Sequence, residues 1–168
     1  MNLNIMKKII ALVSKQLSPA GCKKCHAFGS FKNEANNKRK SIMPGAVYGF
    51  FVRLTSAEAK ALFAEATSKG AAKLSREEEF KPMFDAVYPL YWGKDKSLGA
   101  RLHNHLNNPD GKVEGKKSGT GIIRLCAYSC LHGKNIGCYC VVVDDFKKFE
   151  KHLHTAYKDL LKTKQSKI

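Results

Sequence analysis

Residues 144–161 constrain the fold of this chain more than any other segment. Their large apolar side chains recur at helical spacing and form one stripe on a helical wheel, made of Phe146, Phe149, Leu153, Tyr157 and Leu160. The lysines of the segment lie on the opposite face. The sequence therefore predicts a C-terminal helix whose apolar stripe packs against the rest of the protein.

Glu150 lies within this stripe. It comes four residues after Phe146 and three before Leu153, so its carboxylate points towards the protein. An ionised carboxylate is not buried without a partner. That partner is either a Lys or Arg side chain or a divalent cation, for which carboxylate oxygen is a natural ligand.

Runs of aromatic and β-branched residues predict buried strands. The predicted strands are residues 46–54 ("AVYGFFVRL"), 88–93 ("YPLYWG"), 121–131 ("GIIRLCAYSCL") and 138–143 ("CYCVVV"). Residues 1–17 and 97–108 have helical patterns, whereas residues 18–41 and 107–119 are rich in Gly, Asn and Lys and are expected to be loops.

Two capping-box patterns, Thr55 with Glu58 and Ser75 with Glu78, predict two helices between the first two strands. The resulting element order indicates an α/β (α+β) fold with a small mixed central sheet flanked by helices. We expect an N-terminal helix and basic arm in residues 1–44. One domain should follow in residues 45–163, with a helical insertion at 55–86, and then a charged tail in residues 164–168.

The net charge of +16 and the pI near 9.7 favour a polyanionic partner, with nucleic acid the usual one. A basic protein without such a partner is the alternative. No apolar run approaches the ~20 residues of a membrane span, and the N-terminus lacks a clear secretion signal. We therefore expect a cytoplasmic protein with no membrane partner.

Arg101 and His105 lie four residues apart, on the same face of a predicted helix as Leu98 and Leu102. They are either ordinary boundary residues or two polar groups presented to a ligand near the sheet.

Taken together, these features resemble the GIY-YIG nuclease superfamily. Its first motif corresponds to "AVY" at residues 46–48, and its second to "YWG" at residues 91–93. The Arg on the helix after the second motif matches Arg101, and the Glu of a later helix matches Glu150. Lys94 and His105 make the GIY-YIG restriction endonucleases the most similar group within the superfamily.

The resemblance implies a divalent-metal-dependent endonuclease that hydrolyses DNA, and the sequence leaves RNA open as a partner. Tyr48 would be the general base, and Tyr91 would orient the water or the phosphate. A phenol has a pKa of about 10, so Lys94, Arg101 or a metal-bound water would have to lower it.

The remaining implied roles concern the phosphate and the metal. Arg101 would hold the scissile phosphate through two oxygens. His105 would contact phosphate or share in proton transfer. Glu150 would bind one Mg²⁺ (or Mn²⁺), which commonly uses one carboxylate with substrate oxygens and waters.

One departure from the superfamily pattern leaves an alternative function open. The superfamily has an Asn shortly after the Glu helix, where this chain has Lys162. The alternative is a non-catalytic nucleic-acid-binding protein that retains the fold. In either case the basic clusters at residues 36–40, 112–117 and 162–167 are expected to contact the phosphate backbone.

Cys22 and Cys25 have the C-x-x-C spacing of a zinc knuckle. A structural Zn²⁺ would need two more ligands, from Cys130 with His132 or from Cys138 with Cys140. The alternative is that the cysteines in apolar segments are small core residues and remain reduced.

Overall fold

The computed structural model describes residues 1–22, 25–30, 45–68, 81–95, 105 and 125–161. The helices in these ranges are α1 (Leu3–Ser14), α2 (Ser56–Ser68) and α3 (Phe146–Ala156). The strands are β1 (Cys25–Ser30), β2 (Ala46–Arg53), β3 (Val87–Asp95) and β4 (Gly137–Val143). Two 3₁₀ turns, Leu125–Ala127 and Ser129–Leu131, precede β4.

The four described strands form one sheet in the order β1-β4-β2-β3. The predicted α+β class is confirmed. The prediction of a mixed sheet is wrong, because every pairing among the described strands is antiparallel. Parallel neighbours need a crossover between them, and each strand here runs opposite to its neighbours.

The sheet is buried on both faces, with a hydrophobic core on each side. The first core packs Tyr48, Phe50 and Leu90 against Leu62 of α2 and the 3₁₀ turns. The second core packs the opposite face of the sheet against α1 and α3, through residues that include Ile9, Trp92, Phe149 and Leu153. Helix α1 and strand β1 therefore belong to the same packed unit as the strands that carry the two motifs.

Local signals placed several elements correctly. The capping box of α2 is formed: Glu58 N donates to Thr55 Oγ1 at 3.2 Å, and Thr55 N donates to Glu58 Oε2 at 2.8 Å. Strands β2, β3 and β4 and helix α1 also lie where they were predicted. None of the described helices is long and apolar enough to cross a membrane.

Three predictions of secondary structure are wrong. Residues 25–30 were expected in a loop but pair with β4. Residues 125–131 form 3₁₀ turns instead of a strand, because Glu65 of α2 accepts their backbone N–H groups from Ser129 and Cys130 at 2.8 and 3.2 Å. Of the helix predicted over residues 76–87, the described part is not helical, since residues 81–86 reverse direction with positive φ at Asp85 and Ala86; residues 76–80 lie outside the described part of the chain.

Helix α3 is also shorter than predicted, since the chain leaves the helix at Tyr157. The backbone then runs beside β3: Leu160 N donates to Pro89 O at 3.1 Å and Leu161 N to Leu90 O at 2.8 Å. Strand β3 is at the edge of the described sheet, and this segment satisfies backbone acceptors that an edge strand would otherwise expose. The turn also brings Asp159 back towards the helix.

Candidate active site

The two motif strands lie side by side, with Tyr48 of β2 directly opposite Gly93 of β3. The ring of Tyr48 lies over Gly93, and a Cβ atom at position 93 would collide with it. On the other face, the ring of Trp92 lies over Gly49 in the same manner. The glycine of the second motif is therefore required by the ring of the first.

Tyr48 forms a buried hydrogen bond with His105, with 2.9 Å between Tyr48 Oη and His105 Nε2. The exposed fractions of the two residues are 1% and 0%. Tyr91 packs against both, with ring centroids 6.3 Å from Tyr48 and 5.4 Å from His105. The structure thus brings together three of the predicted catalytic residues.

Lys94 and Glu150 form an ion pair between the end of β3 and helix α3. Lys94 Nζ lies 2.6 Å from Glu150 Oε2, and the side chains are 32% and 7% exposed. Burial alone would raise the pKa of Glu150, but hydrogen bonds from His154 and Lys94, together with their charges, lower it below its usual value. The carboxylate in the apolar stripe is buried as predicted, and its partners are side-chain cations.

His154 lies between two carboxylates. Its Nδ1 is 2.6 Å from Asp159 Oδ1, and its Nε2 is 3.5 Å from Glu150 Oε1. Burial alone would lower the pKa of His154, but the hydrogen bonds and charges of Asp159 and Glu150 outweigh it and raise the pKa to about 9. The other oxygen of Asp159 accepts a 3.3 Å hydrogen bond from the backbone N–H of Trp92.

Among the described residues, the site therefore consists of two groups. The aromatic group is Tyr48, Tyr91 and His105, and the ionic group is Lys94, Glu150, His154 and Asp159. They meet where the ring of Tyr91 faces that of His154, at a centroid distance of 6.4 Å. Tyr48 and Tyr91 belong to the first core, whereas α3 packs on the second.

The divalent cation implied by the resemblance can be tested against the surroundings of Glu150. One of its oxygens faces the Lys94 ammonium and the other faces the His154 ring. Across the ionic group, two carboxylates already balance two cationic side chains. A Mg²⁺ ion at Glu150 would lie beside two positive charges. The arrangement observed does not fit a divalent cation there.

The cysteine candidates for Zn²⁺ are not assembled around Cys22. Cys22 packs at the second core, with Sγ 3.9 Å from the carbonyl oxygen of Asp145. Cys130, Cys138 and Cys140 pack at the first core, on the other side of the sheet. Among the described side chains, no group of three or more His, Cys, Asp or Glu residues is arranged to hold a metal ion.

Several predicted functional residues lie outside the described part of the chain. Arg101 is one, and the side chain of Cys25 is another. The basic clusters at residues 36–40, 112–117 and 162–167 are also outside it.

Two members of the ionic group were missed by sequence reasoning. His154 had a usable signal, because it follows Glu150 by four residues and so shares its helix face. The sequence gives no such signal for Asp159. In a helix that continued through residue 161, the Asp159 carboxylate would point away from His154. Only the end of α3 at Ala156 returns Asp159 to the site.

Comparison with known proteins adds no family to this description. No family model, curated protein or solved structure matches the chain.

Proposed function

We propose that this protein is an endonuclease that hydrolyses phosphodiester bonds of DNA, with Tyr48 as the general base. The observation that carries the proposal is the 2.9 Å hydrogen bond between Tyr48 Oη and His105 Nε2. It joins two residues that the superfamily resemblance had independently assigned to catalysis. The net charge of +16 supports a polyanionic substrate.

His105 provides the acceptor for the phenolic proton that Tyr48 must release to act as a base. As the phenol oxygen accepts a proton from the attacking water, the phenolic proton passes to His105 Nε2. The resulting hydroxide forms a bond to phosphorus, and the bond from phosphorus to the leaving sugar oxygen breaks. That oxygen takes a proton from solvent. A positioned base of this kind contributes about 10²–10⁴-fold to a rate.

The alternative is a nucleic-acid-binding protein that retains the fold without catalysis. The low exposure of Tyr48 and His105 favours it, because a general base must meet the water that it activates. The balanced ionic group around Glu150 favours it as well, because Glu150 is the residue expected to bind metal.

A cleavage assay separates the two functions. The purified chain is incubated with supercoiled plasmid, single-stranded DNA and RNA, each with Mg²⁺ or with EDTA. We expect wild type to nick or linearise the plasmid. The cleavage rate of Tyr48→Phe should be lower by about 100-fold or more. Discrete fragments from a long DNA would support a restriction role.

The matched control is Tyr88→Phe, which removes a hydroxyl from another tyrosine of the first core. It is expected to cleave at the wild-type rate. DNA binding by the wild type without cleavage of any substrate would favour the binding protein. Equal cleavage by Tyr48→Phe and wild type would exclude Tyr48 as the base.

A further inference from the structure

The ionic group has a feature that the superfamily resemblance does not assign: a lysine stands where the resemblance places a metal. Lys94 directly follows the second motif on β3 and reaches helix α3, where its Nζ lies 2.6 Å from Glu150 Oε2. That distance is short even for a charge-assisted hydrogen bond. The ammonium contacts one of the two carboxylate oxygens that a divalent cation would need.

The other side of Glu150 is occupied as well. His154 Nε2 faces Oε1 at 3.5 Å, and Asp159 anchors the same ring through Nδ1 at 2.6 Å. Asp159 is itself 1% exposed and accepts a hydrogen bond from the backbone N–H of Trp92. Asp159 therefore links the His154 ring to β3, the strand that carries Lys94. This anchoring keeps the His154 ring against Glu150.

The charges of the group balance without any added ion. Among the described side chains, Glu150 and Asp159 supply two negative charges, and Lys94 and the protonated His154, whose pKa is raised to about 9, supply two positive ones. A buried carboxylate requires compensation, and here the chain provides it. A divalent cation would add two further positive charges to a group that is already neutral.

The exposed side of the Lys94–Glu150 pair is the lysine. Its side chain is 32% exposed, against 7% for the carboxylate. An incoming anion therefore meets the ammonium before it meets Glu150. A lysine ammonium has three donors and binds phosphate oxygen as a point charge.

We propose that the Lys94 ammonium takes the place of the divalent cation. Held by Glu150, the ammonium contacts a nucleic-acid phosphate directly, and Glu150 binds no Mg²⁺ or Mn²⁺. The proposal rests on the function proposed above for its choice of ligand, a phosphodiester. Its tests measure binding, so they are independent of whether the protein cleaves DNA.

The first test counts bound Mn²⁺ by electron paramagnetic resonance, in the absence of DNA. Wild type and Glu150→Gln should give the same binding curve, because Glu150 is not a metal ligand. Lys94→Met should gain a site at least about tenfold tighter than any in wild type, since removing the ammonium leaves a carboxylate to attract the cation. The double variant Lys94→Met/Glu150→Gln should lose the gained site.

Two results of this test would overturn the proposal. One is stoichiometric Mn²⁺ binding by wild type that Glu150→Gln abolishes. The other is a folded Lys94→Met protein that gains no site. Lys94→Gln is measured in parallel and judged in the same way if Lys94→Met does not fold. The comparison of wild type with Glu150→Gln needs neither lysine variant.

The second test concerns the phosphate contact and is made in EDTA. Binding of a short DNA duplex is measured over a series of salt concentrations. Lys94→Met should reduce the slope of log K against log salt by about 0.9, the value for one lost phosphate contact. Lys60→Met, which removes an exposed lysine from α2, is the charge-matched control and should change the slope less. An unchanged slope in Lys94→Met would refute the phosphate contact.

Discussion

Replacing His154 by glutamine removes the cation that lies between two buried carboxylates. The pKa of His154 is raised in the folded protein from 6.5 to about 9. Burial alone would lower this pKa, but the hydrogen bonds to Asp159 and Glu150 outweigh the effect of burial. A group whose pKa is raised by folding stabilises the folded state most when it is protonated in both states. The contribution is therefore complete below about pH 6.5 and disappears as the pH rises through about 9.

The size of the effect follows from the shift in pKa. Raising the pKa from 6.5 to about 9 corresponds to about 3 kcal/mol, because one pKa unit is worth about 1.36 kcal/mol. Solvent screening reduces this contribution only slightly, because the side chain of His154 is only 8% exposed. Glu150 acts in the opposite range: its pKa is lowered by folding, so its contribution is lost only in acid.

The measurement is urea unfolding of wild type and His154→Gln at a series of pH values from about 6 to about 9.5. The stability advantage of wild type over the variant should shrink by about 3 kcal/mol across this range. Using the difference removes contributions that the two proteins share. His152→Gln is the matched control, because it removes a histidine from the same helix that bonds to Gln16 and to neither carboxylate. It should keep the wild-type pH dependence.

A constant difference between wild type and His154→Gln over this range would refute the reasoning. It would mean that the ring is not held as a cation between the carboxylates. Asp159→Asn tests the same contact from the other side and should reproduce most of the effect, because Asp159 makes the shorter of the two contacts.

Two further predictions concern the backbone. Gly93→Ala should lower the free energy of unfolding by about 1–3 kcal/mol or more, because its Cβ would collide with the Tyr48 ring. Gly133→Ala meets no atom within 4 Å, so it should lose only the roughly 1 kcal/mol that its positive φ costs. A larger loss in Gly133→Ala than in Gly93→Ala, measured by chemical denaturation, would contradict this. Ala86→Gly should raise the free energy of unfolding by about 1 kcal/mol, because Ala86 has φ 61°. Ala64→Gly, on the exposed side of α2, should instead lower the free energy of unfolding by about 0.5–1 kcal/mol. If thermal melts show that both substitutions stabilise, or that both destabilise, the left-handed backbone of Ala86 would be wrong.

Features that depend on neighbouring residues could be predicted from the sequence. The capping box of Thr55 and Glu58 is formed within one helical turn, and the structure confirms it. The aromatic strands β2 and β3 are buried along nearly their whole length, as their composition indicated. The burial of Glu150 was also predictable, because helical spacing alone assigns a residue to a face.

Features that depend on distant residues were mispredicted. The segment at 125–131 has the composition of a strand, yet Glu65 binds its backbone donors and holds it in 3₁₀ turns. The segment at 25–30 has a weak strand pattern, yet β4 offers it a partner. In both cases a hydrogen-bonding partner elsewhere in the chain outweighs local preference.

The sequence by itself determined that this protein has a basic surface, an α+β fold and a carboxylate carried into the interior by an apolar helix face. Spacing and composition are sufficient for these, because each follows from residues close together in the chain. Only the tertiary structure decided what that carboxylate meets. Strand β3 brings Lys94 to Glu150, and the early end of α3 returns Asp159 to His154. The partner of a buried charge depends on which distant segments pack together, and no local pattern encodes that.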